Sequence, residues 1–305
     1  MSRILIGVDV GGSKTAVGVS EGEKILARAD GAGAAIRPGR ALASASVIAE
    51  VVRKALAAAG RLNGDVLYVG AAGAGREPER EELRKALRGE NLAPVVAVST
   101  DIEIALAGVF DSGPGIVVSA GTGSVAVGRD RAGKQHRIGG YGWQMGDEGS
   151  GYAIGRAALG AVSRAADGRS PRTALSARVL DASRSEAFDD LIRWAAGASP
   201  AEVASLAPHV LDVAAHGDPL AQGICDYAAR ELTQLAVCLV PAMDVQPPVG
   251  VALTGGLLSS EGPLRRSVLA RLREDANLSP IETRVDAVEG ALRLAAREAE
   301  QAVGR

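Results

Sequence analysis

The sequence is poor in cysteine, histidine and aromatic residues, and these shortages exclude several kinds of site. Its 305 residues include two Cys, three His, two Phe, two Trp and four Tyr. Cys225 and Cys238 fall in one predicted helix, where thirteen intervening steps separate them by about 20 Å along the axis. That distance is too long for a disulfide, so we expect both thiols to pack in the core. The histidines lack the spacing of metal ligands, and a zinc site is not expected.

The chain also lacks a strong net charge and long apolar runs. Its formal charge is −2, without the basic excess that neutralises phosphates, so neither a nucleic acid nor an anionic membrane is an expected partner. No run of 18 apolar residues occurs, and residues 1–3 lead into a predicted strand without the apolar segment of a signal peptide. We therefore expect a cytoplasmic protein that acts on a small polar molecule.

A glycine-containing motif occurs twice, at Val8–Gly18 and Val118–Gly128, with five of eleven positions identical. Each copy has two apolar runs around a glycine turn, which predicts a β-hairpin with uncovered backbone N–H groups. Such groups bind phosphate, so the pair indicates a nucleotide held by two related domains. Asp9 is the candidate that holds a metal ion through water. The predicted nucleotide-binding residues are Gly11, Gly12, Ser13, Lys14 and Thr15 in the first turn, and Gly121, Thr122, Gly123 and Ser124 in the second.

The first turn is not a Walker P-loop. That motif needs Lys directly after its second glycine, whereas here Ser13 intervenes, and the residues after Thr15 alternate like a strand. An ordinary tight hairpin is the alternative for one copy alone, and it is less favoured once the second copy is considered. A further loop, Thr254-Gly255-Gly256, follows a predicted buried strand, where α/β sheets bind ligands. Gly255 and Gly256 therefore join the nucleotide-binding candidates.

Strands and helices alternate along the chain, which predicts an α/β fold with mixed sheets. The turn-rich segment 111–115 divides a first domain (1–114) from a second (115–288). The first half is predicted to have strands at 3–10, 14–20, 23–29, 65–70 and 94–99, and helices at 40–60, 79–88 and 102–110. The second half is predicted to have strands at 115–120, 124–129 and 134–138, helices over 150–243 interrupted at 199–200 and 217–219, a strand at 249–253, a helix at 263–273, a strand near 281–285 and a helix from 288.

The order of these motifs resembles the actin-like ATPase and sugar-kinase superfamily. Segment 139–152, with Gly146-Asp147-Glu148-Gly149-Ser150 at its centre, is similar to the family that unites N-acetylglucosamine kinase, glucosamine kinase and the BadF/BadG type of ATPase. So are segments 119–124 and 100–108, and the resemblance runs from Gly7 to Leu292. It implies two actin-like (ribonuclease H-like) domains with mixed sheets flanked by helices and an interdomain cleft. It also implies ATP, Mg²⁺, a homodimer, and a closing helix (289–305) that packs back on the first domain.

The chemistry of that family is phosphoryl transfer from ATP to a sugar hydroxyl, which needs one carboxylate to accept the hydroxyl proton. Asp101 is the predicted base, because it follows the β-run 95–99 and lies at the start of a helix. The alternative is that Asp101 only caps the helix that starts at Ile102.

The predicted sugar-binding residues are Asp101, Gly121, Trp143, Asp147 and Glu148, with Tyr141 as a second stacking candidate. The alternatives are that the acidic pair is a solvated loop and that the aromatic rings belong to the core. Sugar-binding members carry an Asn in the glycine-rich stretch after the third strand, but Ala35 or Ile36 stands near that place here. Either Arg37 substitutes for the amide or the substrate is a different amino sugar.

The leading hypothesis is an ATP-dependent, Mg²⁺-requiring kinase of an amino sugar such as N-acetylglucosamine or glucosamine. The alternative is an ATP-driven activator of a partner dehydratase or reductase. Activators of that kind hold an iron–sulfur cluster with cysteines, whereas the two cysteines here lie on a predicted amphipathic helix. A sugar-responsive repressor is not expected, because no DNA-binding helices precede the first hairpin.

Overall fold

The protein is represented by a computed structural model that describes residues 3–258 and 261–303 and divides them into two compact units. Unit 1 contains the described residues up to Gly113 and those from Val285 onward, and unit 2 contains those between Pro114 and Arg284. Each unit holds one five-stranded mixed sheet flanked by helices. The predicted mixed α/β class is therefore confirmed.

The elements follow the predicted alternation. The first eight are β1 (Ile4–Val10), β2 (Lys14–Glu21), β3 (Lys24–Ala32), α1 (Ala41–Ala58), β4 (Val66–Ala71), α2 (Glu77–Gly89), β5 (Val95–Ser99) and α3 (Asp101–Phe110). The next are β6 (Gly115–Ala120), β7 (Ser124–Arg129), β8 (Gln135–Gly139), α4 (Gly151–Ala166), α5 (Leu175–Ser183), α6 (Phe188–Gly197), α7 (Pro200–Ala204), α8 (Ala207–Ala215) and α9 (Pro219–Leu239). A 3₁₀ turn (Val240–Ala242) precedes β9 (Val249–Thr254), α10 (Pro263–Glu274), β10 (Leu278–Ile281) and α11 (Ala287–Val303).

The sheet of unit 1 has the strand order β3-β2-β1-β4-β5. β1 pairs antiparallel with β2 and parallel with β4, and β4 pairs parallel with β5. Side chains alternate between the two faces of a strand, and β1 contributes to a core on each face. Ile6 and Val8 pack in the cluster that includes α1, whereas Leu5 packs with residues of α11. The three parallel strands end at one edge of the sheet.

The sheet of unit 2 has the strand order β10-β9-β6-β7-β8. β6 pairs antiparallel with β7 and parallel with β9, so the hairpin and its parallel neighbour repeat the arrangement of unit 1. Helices α4, α8, α9 and α10 contribute most of the helical side chains of the core. The two hairpins predicted from the duplicated motif are both present.

The cysteine prediction is correct for one residue and wrong for the other. Cys225 is buried and Cys238 is exposed, although both lie on α9. At about 100° per residue, thirteen residues place the two side chains on different sides of the helix. Only Cys225 faces the core.

Within the described residues, the helices are too short or too polar to cross a membrane.

Candidate active site

The predicted base and the predicted metal ligand lie at the same edge of the unit 1 sheet. Asp9, near the end of β1, is in register with Gly70 of β4, and Gly70 is in register with Ser99 of β5. Asp101 follows two residues later as the first residue of α3. The carboxyl ends of these parallel strands therefore bring two aspartates together that are far apart in the sequence.

Thr100, and not Asp101, is the N-cap of α3. The Thr100 hydroxyl accepts the backbone N–H of Glu103 at 3.2 Å, and the Glu103 carboxylate accepts the backbone N–H of Thr100 at 2.8 Å. This reciprocal arrangement is a capping box. Asp101 therefore begins the helix without serving as its cap, which removes the structural alternative for this residue.

The edge concentrates negative charge around Asp9. Burial, followed by the charges of Asp101 and Asp286, raises the pKa of Asp9 to about 7, and Lys14 acts in the opposite direction. A positive charge that neutralises the Asp9 carboxylate would therefore be favourable at this edge. A cation would supply it.

Asp286 was not predicted from the sequence. It caps α11 by accepting the backbone N–H of Glu289 at 3.0 Å, and its carboxylate pairs with Arg28 at 2.7 Å. Burial tends to raise its pKa, but the bond from Arg28 and the backbone bonds outweigh burial and lower it. The available signal was an Asp three residues before a Glu at the start of the closing helix, which is typical of a helix N-terminus.

The first turn exposes part of the predicted phosphate-binding set. Gly11 N–H donates to the Lys14 carbonyl at 2.8 Å, while Gly12, Ser13 and Lys14 are exposed. Lys14 forms an exposed ion pair with Asp30 at 3.0 Å.

Thr15 requires a correction. It is fully buried, and its hydroxyl donates to the Ala32 carbonyl at 2.7 Å. The side chain therefore fastens the hairpin to β3 and is not presented to a ligand.

The second turn is fixed to the start of α4. Gly121 N–H donates to the Gly123 carbonyl at 2.9 Å, which closes the turn. The first backbone N–H groups of α4 then donate to the turn, from Gly151 to the Gly121 carbonyl at 2.8 Å and from Tyr152 to the Thr122 carbonyl at 3.2 Å. The Ser124 hydroxyl is also used within the unit, because it donates to the Glu148 carbonyl at 2.7 Å.

Asp147 supports this turn from inside the unit. The residue is buried with φ of 63°, and its carboxylate accepts the backbone N–H groups of Ser124 and Gly142. Burial raises its pKa, and these two bonds act against the rise. We therefore correct the expectation that the Asp147 carboxylate binds sugar. Glu148 is exposed and keeps that possibility.

The aromatic residues of the same segment are exposed and do not belong to the core. Tyr141 and Trp143 are 68% and 45% exposed, and the Trp143 ring lies 5.1 Å from that of Tyr152, centroid to centroid. The core alternative is wrong for both. Their faces offer apolar surface of the kind that stacks on a sugar ring.

The loop after β9 lies beside the second turn. Thr254 is in register with Ser119 of β6, and Leu257 N–H donates to the Ala120 carbonyl at 3.1 Å. A Cβ at Gly255 would lie 2.4 Å from that carbonyl oxygen, so only glycine allows this approach. A Cβ at Gly256 would meet no described atom within 4 Å. The structure thus brings Gly255, Gly256 and the second turn together in unit 2.

The known proteins that this chain resembles agree with one another in family. The sequence pattern of the BadF/BadG/BcrA/BcrD ATPase family matches residues 6–295. The N-acetylmuramic acid/N-acetylglucosamine kinase of Clostridium acetobutylicum is 32% identical over 259 residues, which cover 83% of this chain and 85% of that protein. The N-acetyl-D-glucosamine kinase of Dictyostelium discoideum is 29% identical over 96% of this chain and 98% of its own length.

A solved structure agrees with these relatives. The crystal structure from Chromobacterium violaceum, provisionally described as an N-acetylglucosamine kinase, superimposes with a TM-score of 0.81 at 29% identity. The superposition covers 96% of this chain and 99% of that one. The family resemblance predicted from the sequence is confirmed.

Proposed function

Because the chain belongs to the BadF/BadG/BcrA/BcrD ATPase family, we propose that it transfers the γ-phosphoryl group of ATP to a hydroxyl of an amino sugar such as N-acetylglucosamine or glucosamine. The observation that carries this proposal is the position of Asp101 at the start of α3, at the sheet edge that also holds Asp9. The capping box of Thr100 and Glu103 holds the start of the helix that bears this carboxylate. A carboxylate held on a fixed helix start suits the role of a general base, which must be positioned against the hydroxyl proton.

In the proposed reaction, Asp101 accepts the proton of the sugar hydroxyl. The sugar oxygen forms a bond to the γ-phosphorus, and the bond from that phosphorus to the bridging oxygen of ADP breaks. The products are the sugar phosphate, ADP and one proton, which Asp101 later releases to water. General-base assistance of this kind contributes about 10²- to 10⁴-fold to a rate.

The residues present fit a magnesium ion. Mg²⁺ is commonly held by one or two carboxylates together with water and nucleotide phosphates. Asp9 meets that need, since burial, followed by the charges of Asp101 and Asp286, raises its pKa to about 7 and makes a neutralising cation favourable. Within the described ranges there is no cluster of three His, Cys, Asp or Glu ligands, so an all-protein cage is not proposed. When bound, Mg²⁺ neutralises phosphate charge.

Both glycine turns, each considered within its own unit, offer groups that suit phosphate in this proposal. In unit 1 the exposed turn residues Gly12, Ser13 and Lys14 would contact phosphate. In unit 2 the backbone of the second turn and the backbone of Gly256 would contact phosphate, since a Cβ at Gly256 would meet no described atom within 4 Å. Backbone N–H groups in such turns favour anions without needing a charged side chain. The hydroxyls of Thr15 and Ser124 are excluded from this set because they are bonded within their own units.

On the sugar side, we propose Glu148 and the rings of Trp143 and Tyr141. All three are exposed in the segment that precedes α4.

The alternative of an ATP-driven activator gains no support from the cysteines. Cys225 is buried, and Cys238 is exposed on a different side of the same helix, α9.

The proposal is tested by measuring ADP formation from ATP and Mg²⁺ with a panel of hexoses and amino sugars. We expect ADP release that depends on an amino sugar and a matching sugar phosphate in the products. ADP release at the same rate in the sugar-free control would contradict the proposal. It would instead favour an ATPase that serves a partner protein.

A further inference from the structure

A buried arginine of unit 2 contacts the loop that follows β9. Arg265 is the third residue of α10 and is only 3% exposed. Its guanidinium donates from Nη1 to the Leu258 carbonyl at 2.8 Å and from Nη2 to the Glu282 carbonyl at 2.9 Å. Leu258 belongs to the loop after β9, and Glu282 directly follows β10. One side chain therefore joins the two segments that leave the carboxyl ends of neighbouring parallel strands.

The position of this charge is unfavourable for stability alone. The first turn of a helix favours negative charge, and burying a guanidinium costs free energy. Among the residues that the structure describes, the carboxylate paired with Arg265 is that of Glu261, which is 3.9 Å away and 87% exposed. An apolar side chain of similar size would avoid the cost of a buried charge. It could not provide the bonds to the two loop carbonyls.

Leu258 connects this arginine to the glycines that we propose bind nucleotide. Its N–H donates to the Gly255 carbonyl at 3.0 Å, which closes the turn 255–258, and its side chain is fully buried. The Leu257 N–H donates to the Ala120 carbonyl of β6 at 3.1 Å. The turn is thus closed by its own backbone, joined to the neighbouring strand, and held at its far end by Arg265.

We propose that Arg265 is a positioning residue for nucleotide binding, because it fixes the turn 255–258 in its binding conformation before the nucleotide arrives. A loop that is already ordered loses less conformational freedom on binding, so the affinity is higher. Hydrogen bonds from a charged donor are stronger than neutral ones, which suits this task. The inference rests on the proposed function, since it requires that the turn binds nucleotide.

The experiment uses the full-length protein with Mg²⁺ and measures ADP binding by calorimetry, together with the KM values for ATP and for the amino sugar. Arg265→Met keeps a long side chain but removes the donors, and Arg265→Lys keeps the charge but offers one nitrogen in place of two. Two controls accompany them. Arg266→Met removes the exposed charge of the next residue, and Leu272→Ala shortens a fully buried side chain of the same helix.

We expect Arg265→Met to raise the Kd for ADP and the KM for ATP by about tenfold to a hundredfold, and to leave the KM for the sugar within about twofold. Arg265→Lys should lie between wild type and Arg265→Met. Leu272→Ala should lower the free energy of unfolding without weakening ADP binding, and Arg266→Met should bind ADP as wild type does.

Two results would overturn the inference. One is wild-type ADP binding in Arg265→Met, and the other is an equal loss of binding in Arg265→Met and Leu272→Ala, which would reveal general destabilisation. If Arg265→Met does not fold, Arg265→Lys decides the matter, and a Kd for ADP equal to that of wild type in this variant contradicts the positioning role.

The binding measurement also separates this inference from the proposed function. If no sugar is phosphorylated but ADP binds and Arg265→Met weakens that binding, the kinase proposal fails and the positioning role stands. If sugars are phosphorylated with the same KM for ATP in wild type and Arg265→Met, the kinase proposal stands and the positioning role fails. Absence of ADP binding by wild type would contradict both.

Discussion

The carboxylate of Asp147 packs on Gly123, so closely that a Cβ at residue 123 would lie 2.7 Å from Asp147 Oδ2. The carboxylate is buried and accepts backbone N–H groups from Ser124 and Gly142. It cannot move aside without giving up those bonds. The shape of the second turn therefore depends on a side chain from a different loop.

Gly123→Ala is expected to destabilise the protein. The new methyl group would displace the Asp147 carboxylate, and leaving a buried hydrogen bond unmade costs about 1–3 kcal/mol. The measurement is the free energy of unfolding in urea. Gly223→Ala is the matched control, since a Cβ there would meet no described atom within 4 Å and Gly223 lies within α9. Alanine in that position should stabilise by roughly 0.5–1 kcal/mol. Equal effects of the two variants would contradict the packing described for Gly123.

Asp147 also predicts a pH dependence of stability. Burial raises its pKa above the ordinary 3.8, so the folded state binds the proton more tightly than the unfolded chain. Stability from this group is complete below the unfolded pKa and is lost as the pH rises through the folded pKa. Asp147→Asn cannot ionise and should flatten the fall of the urea midpoint that begins near pH 4. The exposed Asp181 serves as the control for the same substitution. If wild type and Asp147→Asn keep parallel pH profiles, the carboxylate is not responsible.

Much of the fold could be predicted because strand and helix periodicities are local properties. The exception at the end of unit 2 has a physical reason. A strand was expected near 281–285, but β10 spans Leu278–Ile281 and contains Pro280. Proline lacks an N–H donor and is a signal against a central strand, whereas β10 lies at the edge of the sheet, where proline is tolerated. The sequence alone did not indicate which strand would lie at the edge of the unit 2 sheet.

The site could be predicted only in part, because tertiary contacts decide which polar groups remain available. The sequence pointed to Asp9 and Asp101, which the structure places at one edge of the sheet, but nothing local joins them to Asp286, 185 residues after Asp101. Thr15 illustrates the opposite case. It lies in the turn motif, yet its hydroxyl is used by β3, and that pairing was not visible in the sequence.

The two thiols should differ in reactivity. Burial, with a smaller contribution from Asp226, raises the pKa of Cys225 to about 11, and thiolate is the reactive form. Cys238 is exposed. A maleimide at neutral pH should therefore label about one thiol per folded chain quickly and the second only after unfolding. Cys238→Ser should abolish the fast labelling. Fast labelling that survives in this variant would show that Cys225 is accessible in solution.

Asp101→Asn is expected to reduce kcat by at least about a hundredfold, because the amide cannot accept the hydroxyl proton. Nucleotide and sugar binding, measured by calorimetry, should be largely retained. Glu50→Gln is the control, since Glu50 is an exposed carboxylate on α1 of the same unit. Turnover near the wild-type value in Asp101→Asn would remove this residue from the reaction.

Thr100→Ala is expected to affect catalysis as well as stability. It removes the hydroxyl that accepts Glu103 N–H, and the loss of such a cap costs about 1 kcal/mol. Because Asp101 directly follows the cap, a shift of the helix start should misplace the base and lower kcat by about tenfold to a hundredfold, with a smaller change in KM.

Two further variants distinguish positioning by Thr100 from general destabilisation. Thr100→Ser keeps the hydroxyl and should restore most of kcat. Ser199→Ala removes the equivalent cap of α7 in unit 2, where Ser199 and Glu202 form the same reciprocal pair, and it should lower stability without lowering kcat. If Ser199→Ala and Thr100→Ala lower kcat equally, the cap of α3 has no special role in holding Asp101, and its effect on turnover is only that of a less stable protein.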